Sequence, residues 1–295
     1  MINRKYIQPG SVLFDVALVI FMLLLVLSIV YPFLNIISVS LSTPTAIATG
    51  QVGWLPVGLN LKGYEMIFGR IQIWTAYRNT VIYAIAGTLL NLLVTSMISY
   101  VLMLREFVLR KPITVLLTIT MFFSGGMVPS YILIQNLGLM NTMWAIILPS
   151  CVSAYNVFIY RAFFRSIPSE MREAAFIDGA GEWRILFGIY VPLSKALYAT
   201  FGLFAIVGFW NMWFEPLLYI KDNLKQPVQI VLRQILFTSQ MTAVEGAGEA
   251  VNLNLINPKN VQFACIIATV WPVMCIYPFL QKYFEKGMMI GAVKG

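Results

Sequence analysis

Between Pro168 and Pro192 the chain gathers Glu170, Arg172, Glu173, Asp178, Glu182 and Arg184. Side chains of these types make ion pairs and charged hydrogen bonds outside a bilayer, but in this spacing they form no catalytic set. There is no histidine anywhere, so imidazole acid–base chemistry is closed to the protein. Cys151, Cys265 and Cys275 all sit in apolar runs without a Cys-x-x-Cys pair. That spacing excludes a metal cluster or disulfide framework and leaves thiols that pack as small hydrophobes. No G-x-x-x-x-G-K-[ST] phosphate loop occurs, because Gly291, Ala292, Val293, Lys294 and Gly295 have neither the spacing nor the strand–loop–helix context. The chemistry available to the charged stretch is recognition, with no cofactor or metal on this chain.

The elements around that stretch are those of a membrane protein. Of 295 residues, 59% are hydrophobic and only 11% charged, against about 25% charged in soluble domains. The net charge of +8 comes from basic residues scattered at the ends of apolar runs. A nucleic-acid-binding stripe would gather them on one face, so no nucleic acid is expected. A span needs roughly 20 apolar residues, and six runs meet that need, at about 13–37, 80–103, 113–135, 142–160, 196–219 and 261–280. The first follows Arg4 and Lys5 and continues through Tyr31-Pro32-Phe33-Leu34 with no small-residue cleavage site, as a retained anchor does. An all-α protein of one transmembrane domain, 1–295, is predicted.

Six alternating spans put both termini on one side, together with the loops around 104–112 and 161–195. That side holds 13 of the 20 basic residues, which makes it cytoplasmic. The charged stretch therefore faces the cytoplasm. Within it Ser169 is the expected N-cap of a helix with Glu170 in its first turn. Gly179 and Gly181 break that helix. A second short helix carries Trp183, Leu186, Phe187 and Tyr190 at i, i+3, i+4 and i+7 as one apolar stripe, ended by Pro192. Such a hairpin could lie flat in the headgroup region. The small centre at Ala174-Ala175 and Gly179-Ala180 instead suits close approach by another backbone.

The spacing of that centre carries a resemblance. Glu173-Ala174-Ala175, three residues, Gly179, nine residues, Ile189, one residue and Val191-Pro192 is similar to the EAA signature of membrane subunits of ATP-binding-cassette importers. Val191 departs from the usual leucine. The segments Phe123 to Pro129, Asn136 to Leu139 and Met289 to Gly295 resemble the carbohydrate-import branch, in particular the second permease of maltose-type systems that import polysaccharides and oligosaccharides. The resemblance implies a type I importer permease fold in the bacterial cytoplasmic (inner) membrane, with a cytoplasmic coupling helix in the loop 168–192. It implies a second homologous permease, two cytoplasmic ATPase subunits that carry the ATP and Mg, an extracytoplasmic solute-binding protein and an oligosaccharide substrate. Glu173, Ala174, Ala175, Asp178, Gly179, Ala180, Trp183 and Phe187 would then meet the ATPase. The tail residues Gly291, Val293, Lys294 and Gly295 would reach between the ATPase subunits, and the outer segment 220–260 would reach toward the binding protein.

Two further groups bear on a translocation path. Gly125 and Gly126, with Pro129, should interrupt a helix inside an uncharged run, either where it lines a cavity or where small residues let spans pack closely. Trp210 and Asn211 could stack on or bond a sugar, although interfacial belts also collect Trp. A secondary transporter for a small polar solute would show mid-membrane ionisable residues or an inverted repeat. Only Asp15 and Glu215 are acidic within the runs, both near span ends. A membrane-embedded enzyme would need a carboxylate pair or histidine that the spans lack.

Overall fold

The computed structural model describes the backbone of residues 9–245 and 257–292, and the side chains of 14–240 and 257–275. Every regular element of the described backbone is a helix, and its one β-bridge joins Ser42 to Leu59. In chain order the helices are α1 Pro9–Ser40, α2 Pro44–Ala48, α3 Lys62–Phe68, α4 Ile71–Met103, α5 Arg110–Phe122, α6 Met127–Asn136, α7 Trp144–Ser150 and α8 Ala154–Arg165. There follow α9 Ser169–Ile177, α10 Glu182–Ile185, a π-helical turn Leu186–Tyr190, α11 Val191–Leu193, α12 Lys195–Asn211, α13 Phe214–Tyr219, α14 Val228–Glu245 and α15 Pro258–Ala292. Among the described residues, α1 and α4 are each long and apolar enough to cross a membrane. The pairs α7–α8 and α10/α11–α12 qualify as bent helices, with bends of 52° and 86°.

The chain divides into two compact units. The first comprises Met1–Arg70 and Gln234–Val270. In it α1 is apolar on every face, with Phe14 to Tyr31 largely exposed, the pattern of a helix whose solvent is lipid. The free carbonyls at its C-terminus are met from the start of α15: Asn260 Nδ2 donates to the Val39, Ser40 and Ser42 carbonyls at 3.2, 2.8 and 3.3 Å. Gly63 leaves room for this amide, since a Cβ there would come within 2.1 Å of Asn260 Oδ1.

The second unit, Ile71–Arg233 and Trp271–Gly295, is built on α4, which packs chiefly against α12 and α8. Its buried face is unusually polar: Asn79, Thr80, Asn91, Thr95, Ser96 and Ser99. Three of these side chains, Asn79, Thr80 and Asn91, bond backbone at breaks in neighbouring elements. Asn91 Nδ2 donates to the Ser150 and Cys151 carbonyls (3.3 and 3.1 Å). Those carbonyls lie at the break at 151–153 that interrupts the α7–α8 ladder. Asn79 donates to the Leu224 and Gln226 carbonyls (2.8 and 3.2 Å), and Thr80 Oγ1 accepts the Val228 amide (2.8 Å). Broken backbone at membrane depth survives only when such partners exist.

Several span boundaries differ from those read in the sequence. The second begins at Ile71, nine residues before 80, because nothing from Ile71 to Asn79 breaks a helix. The run 113–135 is two helices, α5 and α6, separated at 123–126 as the glycines required, with Gly126 at φ 85°. The run 196–219 is also broken, at Met212 and Trp213. Pro216 accounts for this: it has no N–H, and its ring would clash with the carbonyl four residues back, at Met212. The outer segment 220–260 contains α14, a helix its mixed composition did not announce.

At the centre of this unit Gly87 faces Phe209, and a Cβ at that position would sit 2.6 Å from Phe209 Cζ. Phe209 is buried with Ala84 and Ile147. Gly87→Val is expected to part α4 from α12 and cost about 1–3 kcal/mol. A melting temperature in detergent equal to wild type would show that the contact is slack.

Candidate functional site

The charged stretch forms a helical hairpin. Ser169 is the first residue of α9, and Pro168 takes the capping position with no side-chain cap. The expected serine cap is therefore absent: Pro168, at φ −54° and ψ 132°, already sets the extended entry to the helix. Glu170 lies in the first turn, where the helix dipole favours an anion. At the other end Gly179 adopts φ 78°. The Gly179 amide donates to the Phe176 carbonyl (3.1 Å) and the Ala180 amide to the Ala175 carbonyl (2.9 Å). This double closure is a Schellman turn, which needs a left-handed residue where Gly179 stands.

The second arm leaves at Glu182 and departs from simple helical spacing. After one α-turn it loosens into the π-turn Leu186–Tyr190 before ending at Ser194. Pro192 cannot donate to Gly188, so the backbone ahead of it shifts pairing rather than stopping. The helix thus runs past Pro192 to Leu193, and α12 then turns away by 86°. The predicted single stripe is divided in consequence. Leu186 and Tyr190, joined by Ile185, are buried, whereas Trp183 and Phe187 are exposed and stack face to face at 6.0 Å.

The buried half ties the hairpin to the spans. Tyr190 packs edge-on against Tyr100 (5.2 Å) and Phe164 (5.5 Å), within a cluster completed by Tyr160, Leu197 and Phe201. Ala175 and Ala180 lean on this cluster, so half of the small centre serves the protein's own packing. Ala174 and Gly179 remain exposed.

Arg172 is the polar anchor. Its Nη2 pairs with Glu182 Oε1 at 2.6 Å, its Nη1 with Glu106 Oε1 at 3.0 Å, and Tyr100 donates its hydroxyl to Glu182 Oε2. One guanidinium thus joins both arms of the hairpin to the segment between α4 and α5. Burial pushes the Glu182 carboxyl up, but hydrogen bonds from Arg172 and Tyr100 outweigh it and hold the group below the ordinary glutamate range. In the sequence Arg172 is only one charge among six in the stretch, and Tyr100 carries no signal at all. Residues 72 and 82 positions apart meet only through packing.

The outer half is apolar and open. Ile177 and Trp183 are 85% and 61% exposed, and Phe176, Phe187 and Met171 are also exposed. Glu173 and Asp178 flank them at the surface. Phe176 and Ile177 were not marked in advance, although two bulky apolar residues beside Asp178 in a charged helix are a readable signal. A hydrophobic patch rimmed by charge is the form of a protein-binding surface.

Of the residues assigned to a translocation path, Trp210 and Asn211 share a cavity of about 500 Å³ with Leu203 and Phe204 of α12. Gln229 Nε2 donates to the Trp210 carbonyl at 3.2 Å. Gly125 and Gly126 do not line it. Gly291 lies in the last turn of α15, while Val293, Lys294 and Gly295 lie outside the described residues, as does 246–256 of the outer segment.

Comparison with known proteins accords with this architecture. Residues 1–290 match the profile of the binding-protein-dependent transport system inner membrane component family. The chain is similar to the polygalacturonan/rhamnogalacturonan transport system permease protein YtcP of Bacillus subtilis, 35% identical over 96% of this chain and 99% of that one. It is similar to protein LplC of the same organism, 37% identical over 100% and 99%. A solved bacterial ABC transporter involved in import of the acidic polysaccharide alginate contains a chain 27% identical, covering 95% of this chain and 99% of that one at a TM-score of 0.85. With nearly its whole length matched, the chain belongs to the family of inner membrane components of binding-protein-dependent transport systems.

Proposed function

We propose that the chain is the permease subunit of an ATP-driven sugar importer that handles oligosaccharides or polysaccharide fragments, with the hairpin 168–192 as its coupling element. One observation carries the reading: an exposed apolar face, Phe176, Ile177, Trp183 and Phe187, is held on a hairpin that is itself anchored in the spans by Arg172 and Tyr190. A surface fixed in this way transmits a push from a docked ATPase to α12 and α4 instead of absorbing it. The chain is not an enzyme; the ATPase activity lies on a separate subunit. Names of its relatives support a sugar as the substrate. Six spans are counted by pairing α5 with α6 as one broken span, continuing α12 through α13 and taking α15 as the sixth, and the bias of basic residues supports both termini being cytoplasmic.

In this scheme the permease pairs with a second, homologous permease above two ATPase subunits, and a binding protein delivers sugar from outside. ATP acts by its different contacts in the inward-open and outward-open packings, since a ligand shifts an equilibrium only through differential affinity. Trp210 and Asn211 are assigned to the sugar path, and the tail residues Val293, Lys294 and Gly295 to the ATPase interface. Co-purification tests the coupling element. Tagged wild-type chain co-expressed with the partner permease and ATPase should retain the ATPase, and F176S/I177S should lose most of it. Retention unchanged in that variant, together with quenching of Trp183 fluorescence by brominated lipid, would place the hairpin flat on the membrane and defeat the proposal.

A further inference from the structure

We propose that a second, basic cavity, set between the end of α4, the start of α5, the end of α8 and α9, binds the phosphate of an anionic phospholipid headgroup. The cavity measures about 600 Å³ and is lined by four arginines, Arg105, Arg110, Arg165 and Arg172, against two acids, Glu106 and Glu173. Arg172 is already engaged by Glu106 and Glu182. Arg105, Arg110 and Arg165 have no ion-pair partner among the described residues. They act on one another instead: the charges of Arg105 and Arg110 bear on Arg165, and those of Arg110 and Arg165 bear on Arg161. Arg161 Nη1 reaches Thr114 Oγ1 at 3.3 Å while its Nε is enclosed without a partner.

Like charges gathered in one recess repel unless an anion neutralises them. Guanidinium forks match phosphate oxygens two at a time, which makes phosphate the fitting anion. Position selects its source. The arginines stand where α4 and α8 end and α5 begins, at the boundary between apolar helix and charged loop. The rest of the wall is mainly apolar, from Met103, Leu104, Phe164 and Ile167, with Ser169 and Tyr190 completing it. Basic pockets at the cytoplasmic ends of membrane helices receive phospholipid headgroups in this manner. An occupant there would touch α9 through Arg172 and Glu173, placing lipid composition in contact with the base of the hairpin.

Native mass spectrometry of the full chain, incubated with equimolar phosphatidylglycerol and phosphatidylcholine, reads the occupant without any ATPase present, so its failure is distinct from failure of the coupling assignment. Phosphatidylglycerol adducts should outlast phosphatidylcholine adducts by about tenfold, and equal retention in the wild type overturns the proposal. In R105Q/R110Q/R165Q the roughly tenfold preference should vanish, and an unchanged preference overturns the proposal. Inorganic phosphate added in phosphatidylcholine micelles separates the two sources. If it protects the chain from thermal unfolding as well as phosphatidylglycerol does, the site takes a soluble anion and the lipid assignment is wrong. If the triple variant keeps its lipid but loses the ATPase, the cavity is a protein contact and the proposal likewise fails.

Discussion

Gly179→Val is expected to lower sugar uptake by the assembled transporter about tenfold while leaving membrane insertion intact. At φ 78° an L-residue pays roughly 1–2 kcal/mol for the left-handed conformation, and β-branching makes this worse. Nothing lies within 4 Å of a Cβ built there, so the free chain meets strain in the backbone alone and no clash. Losing the left-handed residue opens the Schellman turn, frees the Ala175 and Phe176 carbonyls and lets the two arms of the hairpin rotate apart. Gly179→Asn, which tolerates positive φ, serves as the control and should retain most uptake. Two results would dispose of the lever assignment: normal uptake in the valine variant, or equal loss in both variants with ATPase still bound.

Arg172→Ala should loosen the whole hairpin, because one side chain holds Glu182 on one arm and Glu106 on the neighbouring segment. Loss of a charged hydrogen-bond partner at this half-buried place costs about 1–3 kcal/mol, discounted because Glu182 keeps partial access to water. Amide exchange across α9 and α10 should rise several-fold, with α12 unchanged. The pH dependence carries a sign. A carboxyl held below its unfolded value contributes stability that is complete above that value and lost as pH falls through the folded one. Glu182 and Glu106 are both lowered, so protection of the wild-type hairpin should be flat from about pH 8 to 5 and decline only below about pH 4. In Arg172→Ala the decline on acidification should shrink, because the lowering of the two carboxyls that Arg172 supplies is gone. Identical profiles in the two proteins would show that the ion pairs do not hold the hairpin.

Much of the architecture was legible in the chain itself. The contrast between apolar runs and the charged segment at 168–192 is a local property, as are the turn at Gly179 and the interruption at Gly125-Gly126. Each follows from what one residue's backbone or solvation permits. The π-turn and the split stripe were not legible, because a heptad-like spacing assumes a constant helical repeat, and Pro192 changes that repeat from within. The serine cap failed for a related reason, since Pro168 sets the extended entry to α9 without a side-chain bond.

The buried polar face of α4 marks the limit of reading by type and spacing. Asn79 and Asn91 look like scattered impurities in a span, and nothing in their spacing says that they bond the broken backbone of 150–151 and 224–226. Composition, charge bias and local turn chemistry by themselves determined that this is a helical membrane protein with a charged two-armed projection, because those signals arise from single residues and their immediate neighbours. Only tertiary structure decided which half of the projection faces inward, that Arg172 locks it to Glu106, and that Arg105, Arg110 and Arg165 converge. These depend on contacts between residues far apart in the chain, and such contacts are chosen by packing and by the need to satisfy buried polar groups.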